Sequence, residues 1–276
     1  MTRTLEIYTQ GLHLAERIFD QVKRNENLIF AEVRDYANLL MQNTLQSPDD
    51  FLQYSIRSTP NNFLLAHSVN CVILTSLIGQ DLGYESEKLE ILAVATLLHD
   101  IGMVKMFDLV NSPVKFSKKE REELEKHSVH GAEIIDQLQD IDSSVRDAIL
   151  QHHEDDDGMG YPSHLKEKGI NELASVIHVA DVYEALSHPR PYRNAMLPHA
   201  AIKETVDSKQ RFNRRPLKTL LTVVSLFPLG TYVQLNTKAI GKVVKVTKTA
   251  FMRPTLQILV NHDGRPAPDG MLIELV

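Results

Sequence analysis

The sequence predicts a mainly α-helical protein that ends in a small β extension. Apolar residues recur at spacings of three and four over most of the first 230 residues, which is typical of helices. From Pro228 onward, alternating or β-branched runs are separated by Gly, Pro and Asp, which indicates strands and turns. We therefore predict an N-terminal helical unit over residues 1–60, a larger helical domain over 61–227 and a β subdomain over 228–276.

Helix start and stop signals divide the helical part into segments. Ser47-Pro48-Asp49-Asp50 predicts an N-cap with proline in the first turn, and Asn61-Asn62 predicts the start of a long helix. The segment from Ser117 to Glu120 has the form of a capping box and predicts a helix that carries His127. The other predicted helices are 5–24, 28–45, 63–80, 86–100, 143–153, 172–187, 198–211 and 216–227, and the predicted strands are 231–236, 240–247, 255–261 and 271–276.

Composition and charge exclude several classes of protein. Apolar residues make up 43% of the 276 residues and charged residues 24%, so neither disorder nor a membrane span is indicated. The apolar run over 91–98 is far shorter than the roughly 18 residues of a spanning helix. The N-terminus has no apolar signal core and Cys71 is the single cysteine, so we expect a cytoplasmic protein in which Cys71 is a buried apolar residue.

The net charge of −6 argues against a general binder of DNA or RNA, because such binding depends on clustered lysines and arginines. Any anionic substrate must then be held locally, by metal ions or by a few placed cations.

Candidate metal ligands recur on the apolar helices. His67 alone fits a core histidine as well as a ligand. His99-Asp100 is more informative, because it ends an apolar helix and an unpaired buried aspartate would cost several kcal/mol, on the order of about 2–7. A cation removes that cost. His152-His153 ends another predicted helix, and Asp181 lies within a further apolar one.

Three stretches together resemble one known family. They are His99-Asp100, the sequence HHEDDDGMGYP from His152, and DVYEALSHPRPYRN from Asp181. The chain resembles the HD-GYP family, a branch of the HD-domain metal-dependent phosphohydrolases whose members hydrolyse cyclic di-GMP. The pattern HHExxDGxGYP matches at every fixed position, and the resemblance covers about residues 62–227. It implies an HD-domain helical bundle with a metal centre in its middle.

The resemblance also implies the ligands of two divalent transition-metal ions. Iron or manganese is favoured, and zinc is another candidate. Two such ions activate a water that attacks phosphorus in line, with Asp100 and His99 as the catalytic residues. The implied ligands are His67, His99, Asp100 and Asp181 for one ion, and Asp100, His127, His152 and His153 for the other, with Asp100 bridging.

Substrate contacts are implied in two places. Arg190 and Arg193 match phosphate-binding positions of the family, although by themselves they also fit a solvated helix end. Gly160 and Tyr161 belong to the GYP loop, where the tyrosine is suited either to stacking on a guanine or to contact with a partner. The family associates this loop with substrate and with the docking of diguanylate cyclase domains.

The chain departs from the family pattern at two positions. Some members hold a third ion with a glutamate one helical turn before the first histidine, and that position is Phe63 here. A binuclear centre is therefore implied. The lysine that usually follows HD-I-G is Met103, and Lys105 is the next cation along the chain.

Two further groups of residues have alternative interpretations. The acids of 154–157 fit a solvated loop, but Glu154 and Asp157 occupy fixed motif positions and are candidates for orienting the histidines. Histidines outside the motif are interpreted as surface or packing residues; they are His13, His130, His164, His178, His188, His199 and His262.

The leading hypothesis is a binuclear phosphodiesterase that converts cyclic di-GMP to linear pGpG, and whether GMP is the end product stays open. One alternative is a weak or inactive sensor of cyclic dinucleotides that signals through protein contacts, an alternative that Met103 keeps open. Another is a phosphodiesterase for a different cyclic dinucleotide. The N-terminal unit is expected to be regulatory or to form a homodimer.

Overall fold

The computed structural model describes residues 2–55, 63–110, 112, 114–224, 230–246 and 253–275. It confirms the predicted mainly α fold with a small C-terminal sheet. The predicted start at Asn61-Asn62 and the predicted boundaries after residues 60 and 227 lie outside the described residues. The helices are α1 (Arg3–Lys23), α2 (Phe30–Gln46), α3 (Pro48–Ser55), α4 (Phe63–Asp81), α5 (Ser86–Leu98), α6 (Phe107–Val110), α7 (Lys118–Leu124), α8 (His127–Ile135), α9 (Ser143–Gln151), α10 (Glu172–Ser187), α11 (Pro198–Asp207) and α12 (Arg214–Val223).

Helix α4 forms the centre of the helical part. It packs against α1, α2, α3, α5, α10 and α12. Its length and apolar composition would suffice for a membrane span, but 89% of its apolar stretch is buried inside the fold. A helix that other helices surround is apolar on all sides because every one of its faces is buried.

The N-terminal helices share one hydrophobic core with the rest of the bundle. Ile7 of α1 and Leu40 of α2 belong to the same buried cluster as Ile73 of α4, Ile177 of α10 and Leu220 of α12. Burial of α1 and α2 against α4 therefore ties the first helices to the element that carries His67.

The C-terminal strands form a separate small sheet. Strands β1 (Tyr232–Gln234), β2 (Ile240–Lys245), β3 (Thr255–Val260) and β4 (Leu272–Glu274) pair antiparallel in sequence order. Inward-facing Val243, Leu256 and Ile258 give this sheet a small apolar cluster of its own. The period of two in these strands places the apolar residues on one face.

The helix that the capping box predicts ends sooner than expected. Ser117 and Glu120 do form the box, but α7 stops at Leu124, and His127 begins the next helix, α8. The His127 ring nitrogen Nδ1 lies 2.6 Å from the Leu124 carbonyl oxygen, which satisfies a group that the end of α7 leaves free. The prediction that His127 lies on the capped helix is therefore wrong.

Two helix ends near the C-terminus of the bundle also differ from the prediction. Helix α11 stops at Asp207 rather than at 211, and residues 209–211 form a short 3-10 turn. Helix α12 starts at Arg214 rather than at 216, because the Asn213 side chain accepts a hydrogen bond from the Arg215 amide at 3.1 Å.

A close backbone contact positions α8 beside the 3-10 turn Ile101–Met106. A Cβ built on Gly102 would lie 2.0 Å from the His127 backbone oxygen and 2.6 Å from the Gly131 nitrogen. Only a residue without a side chain allows this approach. The contact sets the distance between the segment that follows Asp100 and the helix that begins at His127.

Gly102→Ala should lower the free energy of unfolding by about 1–3 kcal/mol or more, because the added methyl forces two backbone segments apart. Gly169→Ala is the matched control, since its Cβ would meet only Leu165 atoms, at 3.9 Å. Urea unfolding of both variants measures the difference. Equal stability of the two variants would contradict the close approach.

Candidate metal centre

Three histidines lie at helix ends and face a common point. His99 follows the last residue of α5, His127 begins α8, and His152 follows the last residue of α9. In each ring Nδ1 lies 2.6–2.7 Å from the backbone carbonyl three residues earlier. A protonated Nδ1 donates to that carbonyl, so Nε2 keeps its lone pair and points into the centre.

Asp100 lies between two groups of imidazoles. Its Oδ1 is 3.3 Å from His127 Nε2 and 3.8 Å from His152 Nε2. Its Oδ2 is 3.5 Å from His67 Nε2 and 3.7 Å from His99 Nε2. Each carboxylate oxygen therefore faces a different pair of ring nitrogens.

Asp181 of α10 closes the remaining side of the centre. Its Oδ1 is 3.1 Å from His67 Nε2 and its Oδ2 is 3.7 Å from His153 Nδ1. The structure thus brings together all seven of the ligand residues that the resemblance implies, although they come from segments far apart in the chain: His67, His99, Asp100, His127, His152, His153 and Asp181.

Sequence reasoning missed Glu184, which forms a hydrogen bond with Nδ1 of His67, the ring nitrogen that faces away from Asp100 and Asp181. Its Oε2 accepts from His67 Nδ1, and its Oε1 accepts from the Asn70 amide at 2.8 Å. Glu184 is 1% exposed and lies one helical turn after Asp181 on the same apolar helix. The signal was available: a glutamate on an apolar face must find partners, which is the argument applied to Asp100.

The electrostatic environment keeps most of the cluster ready to bind a cation. Burial lowers the pKa of His127, His152 and His153, so these rings are neutral near pH 7 and their lone pairs are free. Burial alone would raise the pKa of Asp100 and Asp181, but the neighbouring imidazoles outweigh it and lower both. Both carboxylates are therefore ionised.

The pKa of His67 shifts in the opposite direction. Burial lowers it, but the neighbouring Cys71 sulfur and the acids Glu184 and Asp181 raise it by more, to well above its usual range. A proton on His67 therefore offsets the negative charge of these carboxylates. A metal ion would supply the same compensation, which is the expected behaviour of a ligand set that exchanges protons for metal.

Two sets of side chains have ligand atoms close enough to share an ion. All their ligand atoms lie within 4.8 Å of one another: one set is Asp100, His127, His152 and His153, and the other is His67, Cys71 and His99. Imidazole and carboxylate ligands fit first-row divalent ions. Burial raises the pKa of the Cys71 thiol to about 12, so without a bound ion this side chain is a neutral thiol.

The two arginines lie beside this cluster in a tight turn. Arg190 and Arg193 pair through their backbones. The Arg190 guanidinium lies 3.2 Å from Glu184 Oε2 and 4.9 Å from the centre of the Phe63 ring. Arg193 donates to the Ala185 carbonyl, and within the described chain its buried Nε has no hydrogen-bond partner. Neither arginine is a fully solvated helix end.

The GYP loop folds back against the histidines. A Cβ on Gly160 would lie 2.2 Å from the Asp155 nitrogen, so this close turn requires glycine. The Tyr161 ring packs on His153 with centroids 4.7 Å apart. Met159 at the tip of the loop is 79% exposed. The loop therefore presents one aromatic ring to the centre and one apolar side chain to solvent.

The acids of the motif hold this loop in place. Glu154 is 2% exposed, and its carboxylate accepts from the Ser163 amide at 2.6 Å and from the Leu165 amide at 2.9 Å. Asp155 lies 2.9 Å from His178 Nε2 and accepts from Arg211 Nε at 3.0 Å. Glu154 therefore braces the backbone of the loop, whereas Asp155 contacts the side chains of His178 and Arg211.

Because residue 103 is methionine, the next lysine along the chain is Lys105, and this lysine is held at the surface. Its ammonium lies 3.0 Å from Glu133 Oε2 and 3.3 Å from His130 Nδ1. Met103 itself packs partly buried against the main core. Lys105 thus has partners of its own on α8.

The comparisons with known proteins agree with this geometry. A family model described as HD domain matches residues 40–215, and one described as KOW domain associated with HD domain matches residues 232–276. The chain belongs to the HD domain family, and the motif it carries is that of the HD-GYP branch. The predicted family is thereby confirmed.

Three relatives show the range of similarity. Cyclic di-GMP phosphodiesterase PA4108 of Pseudomonas aeruginosa is 25% identical over 92% of this chain and 62% of its own length. The 3′3′-cGAMP-specific phosphodiesterase 3 of Vibrio cholerae is 32% identical over 49% of this chain and 29% of its own length. The structure of Bd1817, an HDG"Y"P protein from Bdellovibrio bacteriovorus, aligns with a TM-score of 0.67 at 22% identity, over 79% of this chain and 70% of that one. This chain therefore spans less than two thirds of both phosphodiesterases.

Glu154→Gln should lower the free energy of unfolding by about 1–3 kcal/mol, because an amide has one acceptor oxygen for two buried backbone donors. Asp157→Asn is the control: this exposed acid accepts only from the Met159 amide among the hydrogen bonds of the described chain. Thermal unfolding checks the pair. If Asp157→Asn proves as destabilising as Glu154→Gln, the bracing role of Glu154 is wrong.

Proposed function

We propose that this chain is a metal-dependent phosphodiesterase that hydrolyses cyclic di-GMP to linear pGpG, with GMP as an alternative end product. The observation that carries the proposal is Asp100, whose two oxygens face different imidazoles at 3.3–3.8 Å. This arrangement supports a carboxylate shared by two divalent ions, with iron or manganese favoured and zinc as another candidate. The name of the relative from P. aeruginosa supports the substrate.

Two ions held by these residues would acidify a water for attack on phosphorus and would stabilise the attacking and leaving oxygens. Hydrolysis forms one P–O bond to the water oxygen and breaks the P–O bond to a ribose 3′-oxygen, which leaves with a proton. Asp100 and His99 are the residues that we assign to catalysis. The other proposed ligands are His67 and Asp181 on one side, and His127, His152 and His153 on the other.

The chain's own cations and loop are proposed to hold the substrate. The free Nε of Arg193 supports a contact with a phosphate oxygen, and Arg190 is fixed next to the same cluster by Glu184 and Phe63. The Tyr161 ring and the Gly160 backbone form the adjoining wall. Charge-assisted arginine contacts supply the positive charge that a chain of net charge −6 otherwise lacks.

A second candidate substrate is another cyclic dinucleotide. The relative specific for 3′3′-cGAMP favours it, because it is 32% identical over 49% of this chain. Kinetics on a panel of cyclic dinucleotides separate the two substrates.

The sensor alternative is favoured by Met103, because Lys105 is paired with Glu133 rather than with the centre. In that case the exposed Met159 supports docking of a diguanylate cyclase domain or another partner through the GYP loop. The N-terminal helices are proposed to be regulatory or dimerising. A single cysteine, which is buried, supports the proposal of a reducing, cytoplasmic setting.

Purified without oxygen, the chain should bind two divalent ions and linearise cyclic di-GMP with Mn(II) or Fe(II) present. Asp100→Ala should lose metal and at least about a hundredfold in turnover, since removal of even an outer partner of a ligand costs about 10–100-fold. Metal analysis and chromatography of the products measure both effects. Two ions and bound nucleotide without turnover would favour the sensor, whereas an intact chain that binds no metal would falsify the centre.

Met103→Lys should raise kcat/KM by about ten- to a hundredfold, because a charged hydrogen bond to phosphate contributes about 1.5–3 kcal/mol. Lys105→Gln is the control and should leave turnover unchanged, since this lysine is paired at the surface. Steady-state kinetics with cyclic di-GMP provide the test. A loss of turnover in Lys105→Gln would instead make Lys105 the missing cation.

A further inference from the structure

A chain of buried hydrogen bonds connects helix α1 to the metal centre. The Tyr8 hydroxyl donates to Asn70 Oδ1 at 2.9 Å, and Asn70 Nδ2 donates to Glu184 Oε1 at 2.8 Å. Glu184 Oε2 accepts from His67 Nδ1. Four side chains from three helices thus form one path, which reaches the ring nitrogen opposite the one that faces Asp100 and Asp181.

Burial makes this path specific. Tyr8 is 5% exposed, Asn70 0%, and Glu184 and His67 1% each, so water is a poor substitute for any lost partner. Burial also raises the pKa of Tyr8, so its hydroxyl keeps the proton that it donates. The Tyr8 donor fixes which end of the Asn70 amide faces Glu184. If the amide turned over, its oxygen would face a carboxylate.

Helix α1 is held in position independently of this path. The Tyr36 hydroxyl of α2 donates to the Ile7 carbonyl at 3.0 Å. A Cβ on Gly11 would lie 2.0 Å from the Tyr36 hydroxyl oxygen, so glycine makes room for this contact. Tyr8 is therefore presented to Asn70 by a helix whose own anchoring does not involve the metal cluster.

We propose that Tyr8 and Asn70 are positioning residues for the metal ligand His67, acting through Glu184, and that helix α1 thereby sets the affinity of one of the two metal sites. The orientation of Glu184 fixes the tautomer and the angle of the His67 ring, as outer hydrogen-bond partners of metal-bound histidines do. The inference rests on the proposed metal centre and not on the identity of the substrate. It gives the N-terminal helices a defined point of action.

The test compares Tyr8→Phe with Tyr84→Phe, because each variant loses one hydrogen-bonded hydroxyl and keeps its ring, and Tyr84 contacts Glu172 rather than α1 or the path. Metal-free protein is titrated with Co(II) against a competing chelator, and the visible spectrum is recorded at each step. Tyr8→Phe should weaken one of the two Co(II) sites by about 10–100-fold and shift its absorption bands, while the other site stays within about twofold of wild type. Tyr84→Phe should leave both sites unchanged.

The outcomes separate this inference from the proposed function. If wild type binds two ions without turnover, the proposed function fails and the comparison of affinities still decides the role of Tyr8. If Tyr8→Phe binds both ions as wild type does, or if Tyr84→Phe weakens them equally, the positioning role is overturned. A wild-type chain that binds no Co(II) overturns both proposals.

Discussion

The dominant constraint on this structure is the burial of carboxylates inside an apolar helical core. Asp100, Asp181 and Glu184 are each at most 7% exposed, and charged groups in that setting need opposite charge or several donors. Protonated His67 and the Asn70 amide meet part of this need, and a metal ion held by the neutral histidines would meet the rest. Because these side chains depend on one another for charge compensation, the helices that carry them have to pack together.

Three of the histidines that surround the buried carboxylates lie at helix ends. The last carbonyls of a helix have no partner within it, and His99, His127 and His152 donate to carbonyls of this kind. One hydrogen bond thus satisfies a carbonyl near the helix end and also orients the imidazole ring. Gly102 helps to bring His127 close to Asp100, because its missing side chain lets α8 approach the segment after Asp100.

Local patterns predicted much of this arrangement. Helix spacing indicated the bundle and the C-terminal sheet, and the adjacent pairs His99-Asp100 and His152-His153 indicated a metal centre because they end predicted helices. The end of the helix before His127 was predicted wrongly, because a side-chain hydrogen bond rather than a local break signal decides it.

The partners of His67 were out of reach for a different reason. Glu184 lies 117 residues from His67, and Tyr8 lies 62 residues from Asn70. Spacing reports only which residues share a helix face, so it is silent on which helices meet. Of these contacts, the sequence indicated only that of Glu184, because a glutamate on the apolar helix α10 needs a buried partner.

Phe63 shows how one substitution bears on the charge of the whole centre. A glutamate there would add a further carboxylate near His67, and the resemblance connects that residue with a third ion. With an aromatic ring in its place, the Arg190 guanidinium lies 4.9 Å from the ring centre and donates to Glu184. A fixed cation thus stands next to the carboxylate that orients His67. Electrostatic repulsion by that guanidinium would disfavour a further divalent ion on this side, in keeping with the proposed centre of two ions.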